Sequence, residues 1–183
     1  MNIQAEISMS SHLFWIDLEM SGLDVEKEVI IECAVIVTDY QLKEIETYHA
    51  VVKQPQSYID GMDAWNKKTH GETGLIAKIP DGKAPEVVEK ELIDLAKKHF
   101  GNDKVIIAGN SVGHDKAFLS HHFKKFSELL HYRLLDVTSW KLVFKDMLKV
   151  KHEKKNTHRA LDDIRESIDE LKYYMKFIKL DQK

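Results

Sequence analysis

Asp17 and Glu19 stand two residues apart in Phe14-Trp15-Ile16-Asp17-Leu18-Glu19, an apolar run that reads as a β-strand. Alternate side chains of a strand share a face, so both carboxylates point the same way. Like charges this close repel, and each raises the other's pKa unless a cation lies between them. A divalent ion resolves the conflict, and an oxygen-only donor set selects hard ions such as Mg2+ or Mn2+. Taken alone, such a pair is more often a strand end fraying into a solvated turn, here Ser21-Gly22-Leu23-Asp24, than a metal site. Two further motifs supply matching chemistry.

Asp115 follows Gly109-Asn110-Ser111-Val112-Gly113-His114, between an apolar segment and a helical one. An aspartate there can simply cap a helix. The carboxyl end of a central strand is also where sites on open α/β sheets form. The third motif lies near the C-terminus. Leu161, Ile164, Ile168, Leu171, Met175 and Ile178 recur at helical spacing and draw one apolar stripe, read as core. On that helix Asp162 projects away from the stripe with Glu166 and Asp169. Asp163 lies on its flank in line with Ala160 and Ser167, where small neighbours permit close approach to a sheet. Asp163 is therefore the candidate ligand and Asp162 a surface residue. His158 can face the same cleft only from a loop or first turn, and Asn156 and Thr157 are available as N-caps. Other histidines, such as His99, His121 and His122, need no chemical role.

Local patterns suggest the elements that position these groups. Three strands open the chain, Leu13–Leu18, Val29–Thr38 and Ile45–Val52, and Asp39-Tyr40-Gln41 reads as a hairpin connection between antiparallel neighbours. A mixed helical and loop segment spans Ile59–Ile79, and a helix spans Ala84–Phe100. The continuously apolar Val105-Ile106-Ile107-Ala108 suits a strand covered on both faces. A helix from about Lys116 to Leu130, a short strand around Arg133–Val137 and two terminal helices complete the order. An antiparallel meander followed by a βαβ unit predicts an α/β fold with a mixed sheet flanked by helices.

The 183 residues are 43% hydrophobic and 31% charged, as expected of one globular domain rather than a membrane or low-complexity chain. No apolar run approaches bilayer length, and residues 1–11 lack the pattern of a secretory signal. A single cysteine, Cys33, excludes an internal disulfide and a multi-cysteine zinc site, which makes a reducing, cytoplasmic setting the expectation. A net charge of −3 suits a small anionic substrate better than a long polyanion. Two bound divalent ions would turn that balance slightly positive. The late lysines, Lys141 to Lys155, read as a solvated face.

Taken together, the motifs resemble the DEDDh 3′→5′ exonucleases, named for four acidic residues and a histidine, and within them the branch acting on very short RNA. The resemblance is carried by Trp15-Ile16-Asp17-Leu18-Glu19-Met20-Ser21-Gly22-Leu23, Met62-Asp63-Ala64-Trp65-Asn66, Gly109-Asn110-Ser111, His131-Tyr132-Arg133 and the run His158–Ser167. It spans about Leu13 to Ile178 and implies one exonuclease domain with its core at about 11–179. It implies a ribonuclease H-like fold with a mixed five-stranded central sheet, a homodimer, and hydrolysis of short single-stranded RNA, dinucleotides above all, to 5′-nucleoside monophosphates. By the same resemblance Asp17, Glu19, Asp115 and Asp163 would hold two divalent ions, Mg2+ or Mn2+, and His158 would be the general base. Leu18, Trp65 and His70 would grip the bases. Ser111, Arg133 and the Thr138 hydroxyl would bind phosphate, with Tyr132 and Arg133 reaching the site from the partner subunit. Two departures bear on the phosphate end: His114 stands where the family generally has Gln, and Thr138-Ser139 reverses the usual Ser-Thr order. A proofreading-type DNA exonuclease and a catalytically silent nucleic-acid-binding scaffold are the rival readings. Release of mononucleotides with manganese would separate an enzyme from a scaffold.

Overall fold

The computed structural model describes residues 11–152 and 160–178. Three antiparallel strands, β1 (His12–Met20), β2 (Ile30–Asp39) and β3 (Glu44–Val51), come first. Then follow α1 (Gln56–Gly61), α2 (Ala64–Glu72), a 3-10 turn at Ile76–Asp81 and the long α3 (Pro85–Phe100). The second half runs β4 (Ile107–Gly109), α4 (Gly113–His122), α5 (Lys124–Ser127), β5 (Leu135–Asp136), α6 (Val137–Lys141), a π-helical turn at Leu142–Met147 and α7 (Ala160–Met175). The sheet order is β3-β2-β1-β4-β5, with β4 and β5 parallel to their neighbours. This is the mixed five-stranded sheet anticipated from the meander and the βαβ unit.

Period-two alternation along β1 divides the core. Phe14, Ile16 and Leu18 pack with Cys33 and Val35 of β2 beneath α3, α4 and α5. Leu13 and Trp15 pack with Ala34 and Ile36 on the other face, under Ile164, Ile168 and Leu171 of α7. Trp15 is fully buried there, and its indole N–H donates to the Thr38 hydroxyl at 3.0 Å, so the ring's polar edge is satisfied. Continuing the same face toward the end of β1 leads to Asp17 and then Glu19. One face of one strand thus changes from apolar to acidic.

Two expectations are corrected. The helix anticipated from Lys116 to Leu130 is broken at Phe123, whose φ of −118° and ψ of 62° are non-helical. Glu89 of α3 explains the restart: its Oε1 accepts from the backbone N–H groups of Lys125 (2.7 Å) and Phe126 (3.2 Å) at the head of α5. The break also lets Phe118, Phe123 and Phe126 all enter the core. The α7 stripe is core only through Leu171, since Met175 and Ile178 are exposed. Tyr174 takes the buried position instead, stacked on Phe144 at 4.9 Å.

Gly109 ends β4 where two backbones nearly touch. A Cβ there would lie 2.9 Å from the Ile16 carbonyl oxygen, beside Asp17, and backbone cannot swing aside as a side chain would. Gly109→Ala is expected to lower stability by about 1–3 kcal/mol, read from the urea midpoint at constant slope. An unchanged midpoint would show that β4 yields freely.

Candidate active site

The Asp17, Glu19 and Asp163 carboxylates converge, with one oxygen from each within 4.8 Å of the others. Two come from the acidic stretch of β1 and the third from the first turn of α7. Burial of Ala160, Ile164, Ser167 and Ile168 seats α7 on the sheet and aims Asp163 at that stretch. The helix is further tied by a relay in which Asn110 Nδ2 donates to the Ser167 hydroxyl at 2.6 Å and that hydroxyl donates to the Asp163 carbonyl at 2.8 Å. Asp162 is half exposed and pairs with Arg165 at 3.5 Å.

Asp115 lies in the first turn of α4, not in the preceding loop, and is buried. Its Oδ1 accepts the Leu18 backbone N–H at 3.0 Å, which locks α4 to β1 between the two acidic residues of that strand. Asp115 is outside the tight trio but within electrostatic range of Asp17. His158 and the candidate N-caps Asn156 and Thr157 lie outside the described residues.

The electrostatics follow from this crowding. Burial pushes the Asp17 carboxyl well above the usual carboxylate range, and Asp115, Glu19, Asp163 and Glu32 push it further. Glu19 is pushed up to about 7, first by burial and then by Glu32, Asp163 and Asp115. Asp115 is also pushed up to about 7 by burial, with Asp136 adding and the Leu18 N–H opposing. Several hard oxygen donors that cannot all be ionised together suit divalent cations, so the donor set fits Mg2+ or Mn2+.

Glu19 also lines a cleft of about 490 Å3 with Glu32, His49, Trp65, His70 and Arg165. Trp65, on α2, is 67% exposed, which excludes a core role. His70 is buried; its Nε2–H donates to the Met20 carbonyl at 3.1 Å, pinning α2 to the end of β1, and burial holds its pKa low. Leu18 lies on the opposite face of β1, 5% exposed and packed in the core beneath α3 and α4. Leu23, in the turn after β1, is 79% exposed. Glu32 was missed from sequence. It interrupts the apolar run of β2, and only the β1–β2 register sets it opposite Glu19.

A second cluster forms where β4 and β5 end. Ser111, at a positive φ of 52°, donates its N–H to Asp136 Oδ1 (3.0 Å) and Thr138 Oγ1 (2.9 Å), and the Ser111 and Thr138 hydroxyls are 3.1 Å apart. Tyr132 and Arg133 project nearby along the chain. Tyr132 is 70% exposed, with the Arg133 guanidinium 5.2 Å from its ring centre. Lys116 Nζ fixes this segment through the His131 and Tyr132 carbonyls at 3.2 and 3.1 Å.

Raised carboxylate pKa values make the native state bind more protons than the unfolded chain between the ordinary carboxylate range and about pH 7. Their stabilisation is complete at low pH and is lost as pH rises through about 7. In chelator, the unfolding midpoint is therefore expected to fall between about pH 5 and 8, with Mg2+ restoring it increasingly toward the alkaline end. Asp17→Asn should raise the metal-free midpoint at pH 8 by about 2–4 °C, the shift for roughly 1 kcal/mol in a chain of this size. A metal-free midpoint that is flat or rising over that interval would contradict the crowding described.

A family model described as Exonuclease matches residues 14–171. An oligoribonuclease from Francisella tularensis subsp. tularensis is 44% identical over 168 residues, covering 90% of this chain and 94% of the relative. One from Thiobacillus denitrificans is 40% identical over 169 residues, covering 90% and 93%. Among solved structures, the zinc-bound E. coli exonuclease I–ssDNA complex superposes with a TM-score of 0.72 at 14% identity, over 92% of this chain. The chain spans 41% of that larger protein. The nuclease domain of 3′hExo, a DEDDh family member bound to rAMP, has a TM-score of 0.64 at 17% identity, covering 96% of this chain and 98% of that one. These structural likenesses establish the fold, and the sequence relatives establish the kinship. The chain is a nuclease of the DEDDh exonuclease family and belongs to its oligoribonucleases.

Proposed function

We propose that this chain is a 3′→5′ exoribonuclease that hydrolyses very short single-stranded RNA, dinucleotides in particular, to 5′-nucleoside monophosphates. The observation carrying this reading is the convergence of Asp17, Glu19 and Asp163 beside a cleft that Glu19 lines, in a chain 44% identical to an oligoribonuclease. Asp17, Glu19, Asp115 and Asp163 would hold two divalent ions, Mg2+ or Mn2+. When bound, such ions supply charge stabilisation to the attacking and leaving oxygens of an in-line displacement. His158 acts as the general base, taking a proton from the attacking water; a neutral imidazole with an unperturbed pKa near ~6.5 suits that task.

Trp65 offers a ring for base stacking, worth roughly 1–3 kcal/mol. Leu18, between the two acidic residues of β1, is its apolar counterpart, and His70, which lines the same cleft as Trp65, completes the grip on the bases. The paired Ser111 and Thr138 hydroxyls suit the phosphate end. The chain works as a homodimer in which Tyr132 and Arg133 cap the neighbouring subunit's substrate. Exposed Tyr132 supports this, as do the exposed apolar side chains of Leu142, Met147, Leu148 and Phe177. Among the described residues no helix is long and apolar enough to cross a membrane. Cys33 is buried and free, which suits a reducing cytoplasm. The whole chain is read as one exonuclease domain.

The test is mononucleotide release from 5′-labelled RNA and DNA of graded length, with Mn2+ or Mg2+. RNA dinucleotides are expected to be cleaved fastest, and no release at any length would overturn the reading. In this assay Asp163→Asn should abolish hydrolysis while Asp162→Asn keeps most of it; equal loss in two folded variants would show that both carboxylates serve. Mixing Asp163→Asn subunits with Arg133→Ala subunits tests the shared site. One site of each mixed dimer then carries both lesions and the other neither, so activity should reappear. No recovery despite confirmed subunit exchange would place Arg133 in its own subunit's site.

A further inference from the structure

The acidic face does not end at β1. In the antiparallel β1–β2 ladder Glu19 is directly opposite Glu32, and Asp17 is opposite Ala34. Directly opposed residues project to the same side of a sheet with Cβ atoms about 4.5–5.5 Å apart. One strand further out, His49 of β3 is opposite Ala34 and so shares that face. The register slips just after the Glu19–Glu32 pair, before Met20 meets Ile30, a local irregularity of the kind that re-aims side chains beside sites. Glu32 is largely sequestered, its side chain 15% exposed, against 41% for His49.

Two carboxylates opposed across a ladder destabilise it. No lysine or arginine neutralises Glu32 among the described residues. Its carboxylate has one hydrogen-bond partner there, His49 Nε2, at 2.7 Å. Arg165, which lines the same cleft, is engaged by Glu44 (3.1 Å) and Asp162 (3.5 Å). The fold therefore retains a negative charge behind Glu19 and fixes its direction with an imidazole N–H. A carboxylate in that place, held by a second group, acts on whatever cation Glu19 ligates without needing to touch it.

We propose that Glu32, aimed by His49, is a positioning residue that strengthens divalent-cation binding at Glu19 through its charge. The inference rests on the reading of Asp17, Glu19 and Asp163 as cation ligands. Glu32 is not itself a ligand in it, and His49 serves only to keep the carboxylate turned toward Glu19. This role accounts for a like-charged opposition that folding alone would disfavour.

The test is calorimetric titration of the full chain with Mn2+ alone, beside thermal unfolding in chelator. Glu32→Gln keeps an acceptor for the His49 N–H and removes only the charge. It should weaken Mn2+ binding by about tenfold while the metal-free unfolding midpoint stays the same or rises, because a repulsion is lost. His49→Ala should weaken Mn2+ binding by a smaller factor, and His49→Gln, which restores a donor, should recover it. Wild-type Mn2+ affinity in Glu32→Gln would overturn the proposal, as would loss of affinity together with loss of metal-free stability, the signature of a merely structural role. Absence of Mn2+ binding in the wild-type chain would instead overturn the reading of the ligand set itself.

Discussion

Mutual repulsion among carboxylates that packing forces together is the constraint on which the rest of the structure turns. Two unit charges within 4.8 Å of each other at an effective dielectric near 20 cost on the order of 3 kcal/mol or more. A folded domain has only about 5–15 kcal/mol of net stability. Asp17, Glu19 and Asp163 cannot all stay ionised and unscreened at that expense, so the site holds protons or a cation. The apolar parts of the same elements keep the charges together. Trp15 lies two positions before Asp17 on the same face, and Ile164 directly follows Asp163 on α7; both are buried. Drawing the acidic ends apart would expose those side chains.

The groups around this centre divide by the rigidity of their supports. The acidic residues sit on β1, α4 and α7; the Leu18–Asp115 hydrogen bond fastens α4 to β1, and the Asn110–Ser167 hydrogen bond fastens α7 to the turn after β4. Trp65, Leu23 and Tyr132 are exposed side chains on a short helix, a turn and a connecting segment. The proposed metal chemistry, which depends on fixed separations, thus rests on packed elements, and the proposed substrate contacts of Trp65 and Tyr132 rest on exposed ones. The same sheet recurs at 14% identity in a DNA-bound exonuclease more than twice as long. The fold is thus carried by apolar pattern and topology.

Ser111 shows how local strain serves the arrangement. A non-glycine residue at positive φ is disfavoured, yet here it presents its N–H to Asp136 and Thr138 together. That anchors the end of β4 to the start of α6. Asn110, next in line, then reaches Ser167 on α7, so one turn connects the Ser111–Thr138 cluster with the helix carrying Asp163.

The sequence by itself determined the meander, the buried β4 and α3, the shared face of Asp17 and Glu19, and the phase that separates Asp163 from Asp162. Each rests on a period of 2 or 3.6, which is local information. It could not determine the break at Phe123, because the group that caps the restarted helix, Glu89, comes from α3. It could not tell which face of β1 lies under α3 and which under α7, nor the exposure of Leu23, which depends on how the turn is covered. The exposure of Met175 and Ile178 had to await the point where α7 outruns its packing partners. Glu32 is the clearest case: a lone glutamate in an apolar strand has no evident purpose until pairing register sets it opposite Glu19. Register, layer and covering are relations between distant segments, and only the tertiary structure decides them.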